Sequence, residues 1–242
     1  MITDLLSKIK FKIKEMVADG LLKLSLYINS PSLTTLALRI GSSTINNRGQ
    51  YTILCLGITI FMDDINALVE FSGRLKYKVI HFRYLETIFS KFIFGPHRDS
   101  LTDESYHTET SFNPGKKNYY LYLKKVFPIL KKMMGFDAIL SGNIGYTLQQ
   151  ELARVCQENS VPFIILHKEA LVVLQAYDNF LEHYRTCKLI ADKILFYNKH
   201  CLEGFLGLKI DGLTRDKVEL VGIPRFDNYF LKKGSPSVER KT

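Results

Sequence analysis

Short runs of β-branched and aromatic apolar residues alternate with helix-length segments along most of the chain, and this alternation restricts the fold more than any other feature. Strands separated by helix-length segments form βαβ units, whose right-handed crossovers give a doubly wound parallel sheet. The sequence therefore predicts an α/β fold with a mostly parallel, Rossmann-like sheet. The predicted strands are Tyr51–Ile60, Lys78–Phe82, Phe136–Ser141, Pro162–Leu166, Lys193–Tyr197 and Val218–Gly222.

The segments between these strands place apolar residues three or four positions apart, which is typical of helices with one buried face. Thr147 and Gln150 are placed to form a capping box at the start of one of them. The segment Phe94–Lys117 shows no period and is predicted as a long loop. The predicted helices are Asp63–Leu75, Tyr119–Met134 (interrupted or begun at Pro128), Thr147–Asn159, one within 171–189, and His200–Leu206.

The first residues predict an amphipathic helix, Met1–Asp19, which Gly20 is placed to end. Lysines lie on both borders of its apolar stripe, as they do in helices that lie on a membrane surface. Packing of the stripe on the protein's own domain explains the same pattern, so both interpretations stay open. The stripe consists of Ile2, Leu5, Leu6, Ile9, Ile13, Met16 and Val17, and its bordering lysines are Lys8, Lys10, Lys12 and Lys14.

Three regions follow from these patterns. Residues 1–50 are predicted as an N-terminal helical segment, in which 20–50 have no clear assignment beyond two turns. Residues 51–230 are predicted as the Rossmann-like domain. Residues 231–242 are polar and rich in helix-breaking residues, which predicts a linker to a second domain.

The charge balance limits the class of partner that the chain is expected to bind. The 242 residues include 33 Lys and Arg against 24 Asp and Glu, a net charge of +9, which favours an anionic partner. Because neither a helix-turn-helix pattern nor an RNP-like aromatic strand is present, no nucleic-acid partner is expected. The four cysteines have no metal-ligand spacing, so we predict neither a metal site nor a disulfide framework, and no cofactor. Free thiols, with no apolar run long enough to span a membrane, favour a cytoplasmic protein.

Polar residues follow four of the predicted strands, at the sheet edge where open parallel sheets bind ligands. A carboxylate or imidazole there can take a proton from a sugar hydroxyl, and a cationic side chain can hold a phosphate. Ordinary structural roles also fit: the glycines as a tight turn, the paired aspartates as helix-start carboxylates, the rest as a charged loop. These residues are Asp63 and Asp64; Gly142, Asn143, Gly145 and Tyr146; His167, Lys168 and Glu169; and Arg225 and Asp227.

Four segments carry a resemblance to a known family: FDAILSGNIGYTLQQELARVCQENSVPFIILHKEAL, KILFYNKHCLEGF, VELVGIPRFDNYF and the polar tail after it. They resemble the N-terminal half of bacterial surface-carbohydrate glycosyltransferases with the two-domain GT-B architecture. That group includes capsule and surface-polysaccharide synthesis proteins and relatives of CDP-glycerol glycerophosphotransferases. The similarity covers residues ~136–230, and residues 51–135 by pattern only.

The resemblance implies a division of labour between two domains. In GT-B enzymes the N-terminal domain binds the acceptor and often supplies the catalytic base, whereas the C-terminal domain binds most of the nucleotide-sugar donor. Glu169 or His167 is then expected to be the base, with Asp63 or Asp64 as the weaker alternative. The remaining residues are expected to bind substrate: Gly142, Asn143, Gly145 and Tyr146 by shaping the acceptor pocket, Lys168 and Arg225 by offsetting phosphate charge, and Asp227 beside them.

The expected function is therefore that of the acceptor-binding half of a glycosyltransferase, which moves a sugar from a nucleotide-activated donor to a glycan or glycolipid acceptor. The donor domain is expected from a partner chain or a further segment, and little turnover is expected without it. A sugar-nucleotide 2-epimerase or a glycerophosphotransferase of the same fold is one alternative. A non-catalytic module docked on the inner face of the membrane through residues 1–19 is the other.

Overall fold

In a computed structural model of the chain, residues 2–46, 49–58, 61–93, 101–169 and 176–227 are described. One sheet of seven strands forms the centre of these residues. The strands are β1 (Ser43–Asn46), β2 (Tyr51–Gly57), β3 (Leu75–His81), β4 (Ala138–Ser141), β5 (Phe163–His167), β6 (Lys193–Phe196) and β7 (Val218–Leu220). Their order across the sheet is β1-β3-β2-β4-β5-β6-β7.

The sheet is mostly parallel and doubly wound, as the sequence predicts. Strands β2 to β7 pair in parallel, and only β1 is antiparallel, at the edge beside β3. The chain moves outward from β2 to β3 and then returns to place β4 on the other side of β2. The carboxyl ends of β2 and β4 therefore flank the topological switch point, where ligands bind in sheets of this kind.

The helices of the described residues pack around this sheet and bury their apolar faces against it in one core. Helices α2 and α4 are not predicted, and α5 begins inside the segment predicted as a loop. The helices are α1 (Ile2–Tyr27), α2 (Pro31–Gly41), α3 (Phe61–Phe71), α4 (Phe82–Phe92), α5 (Asn113–Met134), α6 (Thr147–Glu158), α7 (Tyr177–His183) and α8 (Lys199–Gly207).

Gly20 does not end the first helix, contrary to the prediction. Helix α1 continues to Tyr27 because its second half is held by packing, with Leu22 and Leu26 buried in the core. The chain turns at Asn29, which adopts a positive φ of 55°. Ser30 then caps α2 by accepting a hydrogen bond from the Leu33 N–H. Tertiary packing thus overrides the low helix propensity of glycine.

Two local predictions are wrong: Pro128 neither interrupts nor begins a helix, and Thr147 and Gln150 do not form a capping box. Helix α5 runs through Pro128 as one helix, because its buried face is held in the core on both sides of the proline. At the start of α6, the Thr147 N–H donates to Asp103 Oδ1 at 3.2 Å. The Gln150 amide donates to the carbonyl of Ile144 at 2.8 Å instead of closing a box. A residue from the predicted loop therefore caps α6.

The N-terminal region is part of the same packed unit as the sheet. Helices α1 and α2 bury Ala18 and Leu38 in the common core, and β1 adds a strand to the sheet before residue 51. The predicted linker 231–242 and residues 171–175 of a predicted helix lie outside the described residues. Within the described ranges, no helix has the length and apolarity needed to cross a membrane.

Candidate functional site

Three loops meet at the switch point, and Gly142 makes their contact possible. Helix α3 begins at Phe61 after β2, and Gly142 follows β4. A Cβ atom on Gly142 would lie 3.1 Å from the Phe61 ring and 3.4 Å from Lys168 Cδ. Because the first distance is tighter than nine in ten real Cβ contacts, a larger residue would require the Phe61 ring to move by a few tenths of an ångström. The segments after β2, β4 and β5 therefore meet at the crevice that the switch point of such a sheet creates.

The Glu169 carboxylate is the centre of a hydrogen-bond network at this crevice. Its Oε2 accepts from Asn143 Nδ2 at 2.6 Å and from the Tyr184 hydroxyl at 3.0 Å. Its Oε1 accepts from Lys168 Nζ at 2.7 Å and, more weakly, from the Tyr146 hydroxyl at 3.5 Å. A carboxylate offers about four acceptor positions. The position facing Tyr146 is the most weakly held of these contacts.

Glu169 is ionised at neutral pH. Burial opposes ionisation, but the hydrogen bonds and charge of Lys168, together with Asn143 and Tyr184, outweigh it and lower the pKa of the carboxyl. The Lys168 ammonium lies in an almost fully buried residue. The negative charge of Glu169 in turn adds to burial in raising the pKa of Tyr146 and of Tyr184, so both phenols stay protonated and act as donors.

Asn143 is fixed by its own backbone surroundings. Its Oδ1 accepts from the Gly145 N–H at 2.7 Å, and its carbonyl accepts from Gln149 Nε2 at 2.5 Å. With Oδ1 occupied, the Nδ2 group points to Glu169 and also donates to the Tyr184 hydroxyl at 3.0 Å. Asn143 therefore positions the carboxylate.

A cleft of about 250 Å³ opens beside Tyr146. Phe82 and Tyr146 form one wall, with their rings 5.0 Å apart and tilted by 55°. Asp103 and Glu86 provide carboxylates to the lining. Burial raises the pKa of Asp103 to about 6, against the lowering effect of its bond from the Thr147 N–H. The cleft thus combines aromatic surface with hydrogen-bond acceptors.

The pKa of Asp103 predicts a pH effect on stability. Since the folded-state pKa is raised above the ordinary value of 3.8, the folded chain holds this proton more tightly, and stability falls as the pH rises from about 4 to 6. In Asp103→Asn this fall is expected to be absent, while the amide oxygen still accepts from Thr147. The difference in unfolding free energy between variant and native chain, measured in urea from pH 4 to 7, should grow in favour of the variant and level off above pH 6. The exposed Asp178→Asn should show no such trend, and a flat difference for Asp103→Asn would contradict the assignment.

His167 is not at the crevice, although the sequence makes it a candidate base. Its side chain is fully buried, and neither ring nitrogen has a hydrogen-bond partner among the described residues. Aromatic rings surround it, the nearest being Phe205 at 4.8 Å. Burial lowers its pKa to about 4. As the last residue of β5, His167 points into the packed face, so it does not reach a substrate in this structure.

The neighbouring residues Asp63 and Asp64 also lie in different environments, one exposed and one buried. Asp64 is fully buried in α3, where its Oδ2 accepts from the Tyr197 hydroxyl at 2.6 Å. It also pairs with the Arg225 guanidinium at 3.6 Å, so this cation is already neutralised. Asp63 and Asp227 are exposed and make no contact with the Glu169 network in the described part of the chain. Asp64 therefore holds the segment 224–226 against α3, and Glu169 remains as the candidate base.

Two members of the site have no sequence signal. Asp103 lies in a segment without periodicity, and Tyr184 lies in a stretch predicted only as containing a helix. Both are placed by tertiary structure, Asp103 at the start of α6 and Tyr184 just after α7. In the described ranges, no cluster of three His, Cys, Asp or Glu side chains is arranged to hold a metal ion.

Comparison with protein families, curated proteins and solved structures gives no match to this chain.

Proposed function

We propose that this chain is the acceptor-binding half of a glycosyltransferase, with the sheet domain serving as the N-terminal domain of a GT-B-type enzyme. The observation that carries the proposal is the cleft beside Tyr146, which aromatic rings and carboxylates line, together with the contact of the Tyr146 hydroxyl with an ionised Glu169. A sugar has apolar C–H faces and hydroxyl edges. It matches aromatic walls and carboxylate acceptors better than an anionic ligand does.

The charges of the site favour a neutral acceptor over a nucleotide. Lys168 is paired with Glu169 and Arg225 with Asp64, so the two cations expected to bind phosphate are already occupied. The cleft itself contains the carboxylates of Asp103 and Glu86. A nucleotide diphosphate would be repelled there, which agrees with donor binding by another domain.

The mechanism follows from the geometry of Glu169. An acceptor hydroxyl replaces Tyr146 at Oε1 and donates its hydrogen bond to the carboxylate. As the hydroxyl oxygen bonds to the anomeric carbon of the donor, Glu169 takes the proton and the bond from the anomeric carbon to the phosphate oxygen breaks. The nucleotide leaves with that electron pair. Asn143, Tyr184 and Lys168 hold the carboxylate in place throughout.

Acceptor binding tests the proposal directly. Saturation-transfer NMR of the full chain with a panel of mono- and oligosaccharides should detect at least one saccharide ligand. Glu169→Gln should weaken its binding about tenfold, through loss of a charge-assisted hydrogen bond. Tyr146→Phe, which removes one hydroxyl at the entry position, should change affinity without unfolding the chain. Glu182→Gln, an exposed glutamate on α7, is the matched control. The proposal would be contradicted if no saccharide gave a signal, or if Glu169→Gln and Tyr146→Phe both bound the saccharide with the affinity of the native chain.

The alternative enzymes of the same fold differ in what they consume. We expect little or no turnover by this chain alone when it is mixed with nucleotide sugars and saccharides. Consumption of a UDP-amino-sugar without acceptor would instead indicate an epimerase. Transfer from CDP-glycerol would indicate a glycerophosphotransferase. Efficient sugar transfer by the purified chain alone would show that the half-enzyme proposal is wrong.

A further inference from the structure

The described members of the apolar stripe of α1 are exposed and do not pack on the protein. Buried residues of the helix are Ala18, Leu22, Ser25 and Leu26, which face the core. At 100° per residue, the described members of the stripe lie on the opposite side, within an arc of about 100°. Met16 is 73% exposed, and the others are about half exposed. The exposed face consists of Leu6, Ile9, Ile13, Met16, Val17, Leu24 and Tyr27.

The acidic residues of α1 whose side chains are described lie away from this face. Glu15 and Asp19 project towards α4, where Arg83 approaches them at 2.9 and 3.7 Å. The Arg83 guanidinium therefore offsets part of their negative charge within the protein. The exposed face is instead bordered by lysines, with Lys12 and Lys23 on one side and Lys10 on the other. The face is apolar in the middle and cationic at its margins.

A basic cleft of about 310 Å³ adjoins the helix. Lys14, Arg39 and Lys78 line it, and the described lining residues include no carboxylate. Lys14 Nζ donates to the Ser42 carbonyl at 2.5 Å, which fixes this ammonium at the cleft. Lys78 Nζ donates to the Met134 carbonyl. Three cations without an acidic partner in the lining give the cleft a positive charge, which favours an anionic group such as phosphate.

We propose that α1 docks on the surface of an anionic phospholipid bilayer, with its apolar face at the boundary of headgroups and acyl chains and a lipid phosphate in the Lys14–Arg39–Lys78 cleft. Lysines on both borders favour this occupant, because interfacial helices use them and protein–protein interfaces are depleted in them. The inference does not depend on the proposed function, since soluble saccharides test that separately.

The chain contains no tryptophan, so a single introduced tryptophan reports on the helix alone. Met16→Trp is expected to shift its emission to the blue with vesicles of phosphatidylcholine and phosphatidylglycerol, and not with phosphatidylcholine alone. Leu220→Trp, at an exposed apolar position on β7, should show no shift. Equal spectra of Met16→Trp with and without anionic vesicles would overturn the proposal.

Flotation with the same vesicles tests the two parts of the surface. The native chain should float with anionic vesicles, less so at high salt. Ile13→Ser/Met16→Ser should reduce the bound fraction about tenfold and Lys14→Gln/Arg39→Gln several-fold, while Leu220→Ser should match the native chain. These positions are exposed, so the variants should fold, and circular dichroism checks this. An equal bound fraction for the native chain and both double variants would overturn the docking proposal. The docking proposal would also be overturned if the native chain did not bind vesicles but formed a dimer that dissociates in Ile13→Ser/Met16→Ser. The exposed face would then bind a second copy of the chain.

Discussion

Glu169→Gln is expected to lower the free energy of unfolding by about 2–3 kcal/mol, because the neutral amide leaves Lys168 without its counter-ion. The Lys168 residue is only 7% exposed, and its ammonium lies 2.7 Å from Glu169 Oε1. Breaking a fully buried ion pair costs about 3–5 kcal/mol. Here the cost is lower because the Glu169 side chain is 39% exposed and water screens the charge that remains.

A double-mutant cycle separates this effect from other losses. Lys168→Met/Glu169→Gln removes both charges, so it should be more stable than Glu169→Gln alone. Urea unfolding of the native chain, both single variants and the double variant gives the coupling energy. Glu182→Gln, which removes an exposed glutamate, should change stability by less than about 0.5 kcal/mol. Additive effects of the two single substitutions would show that the pair does not stabilise the site.

His167→Phe is expected to remove the part of the acid-dependent loss of stability that His167 causes. The folded-state pKa of His167 is about 4 against an ordinary 6.5, because burial disfavours the imidazolium. Between these values the unfolded chain binds a proton that the folded chain does not, so stability is lost as the pH falls from about 6.5 to 4. The loss attributable to this group is about 3 kcal/mol at pH 4. Phenylalanine has no titrating group and suits the aromatic surroundings.

The measurement compares unfolding free energies of the two chains at pH 7 and pH 4. The variant should gain about 3 kcal/mol relative to the native chain over this range, whatever the cost of fitting the larger ring at pH 7. His200→Gln, at an exposed position beside Tyr177, should follow the native chain. A parallel decline of His167→Phe and the native chain would show that His167 titrates normally.

The parallel strands inside the sheet could be predicted from the sequence because burial on both faces selects short runs of apolar residues. Strands β2 and β4 to β6 lie inside the sheet and consist mostly of apolar residues. The edge strand β1 has no such run, with polar residues in three of its four positions, and it pairs only with β3. Its place depends on where α2 ends, which is a tertiary property. The same reason explains Gly20 and Pro128, where packing on the core decides against local propensity.

For the candidate site, the sequence identifies the position of the loops but not the direction of each side chain. The strand-end rule brings Asn143, Lys168 and Glu169 together as expected. His167 differs from Glu169 by two positions, yet one packs into an aromatic cluster and the other reaches the crevice. That distinction depends on where β5 ends relative to its neighbours. Asp103 arrives from a distant segment, which no local pattern predicts.

The order of strands also bears on how the chain reaches its fold. From β4 to β7 each strand lies beside its predecessor, so these pairings close short loops. Joining β2 to β4 brings together Thr52 and Asp137, 85 residues apart, and the contact of Asp64 with Arg225 spans 161 residues. Long loops cost more entropy to close, so we expect these contacts to form late. Since the cleft beside Tyr146 lies between α4 and the loop after β4, its lining is complete only after these contacts have formed.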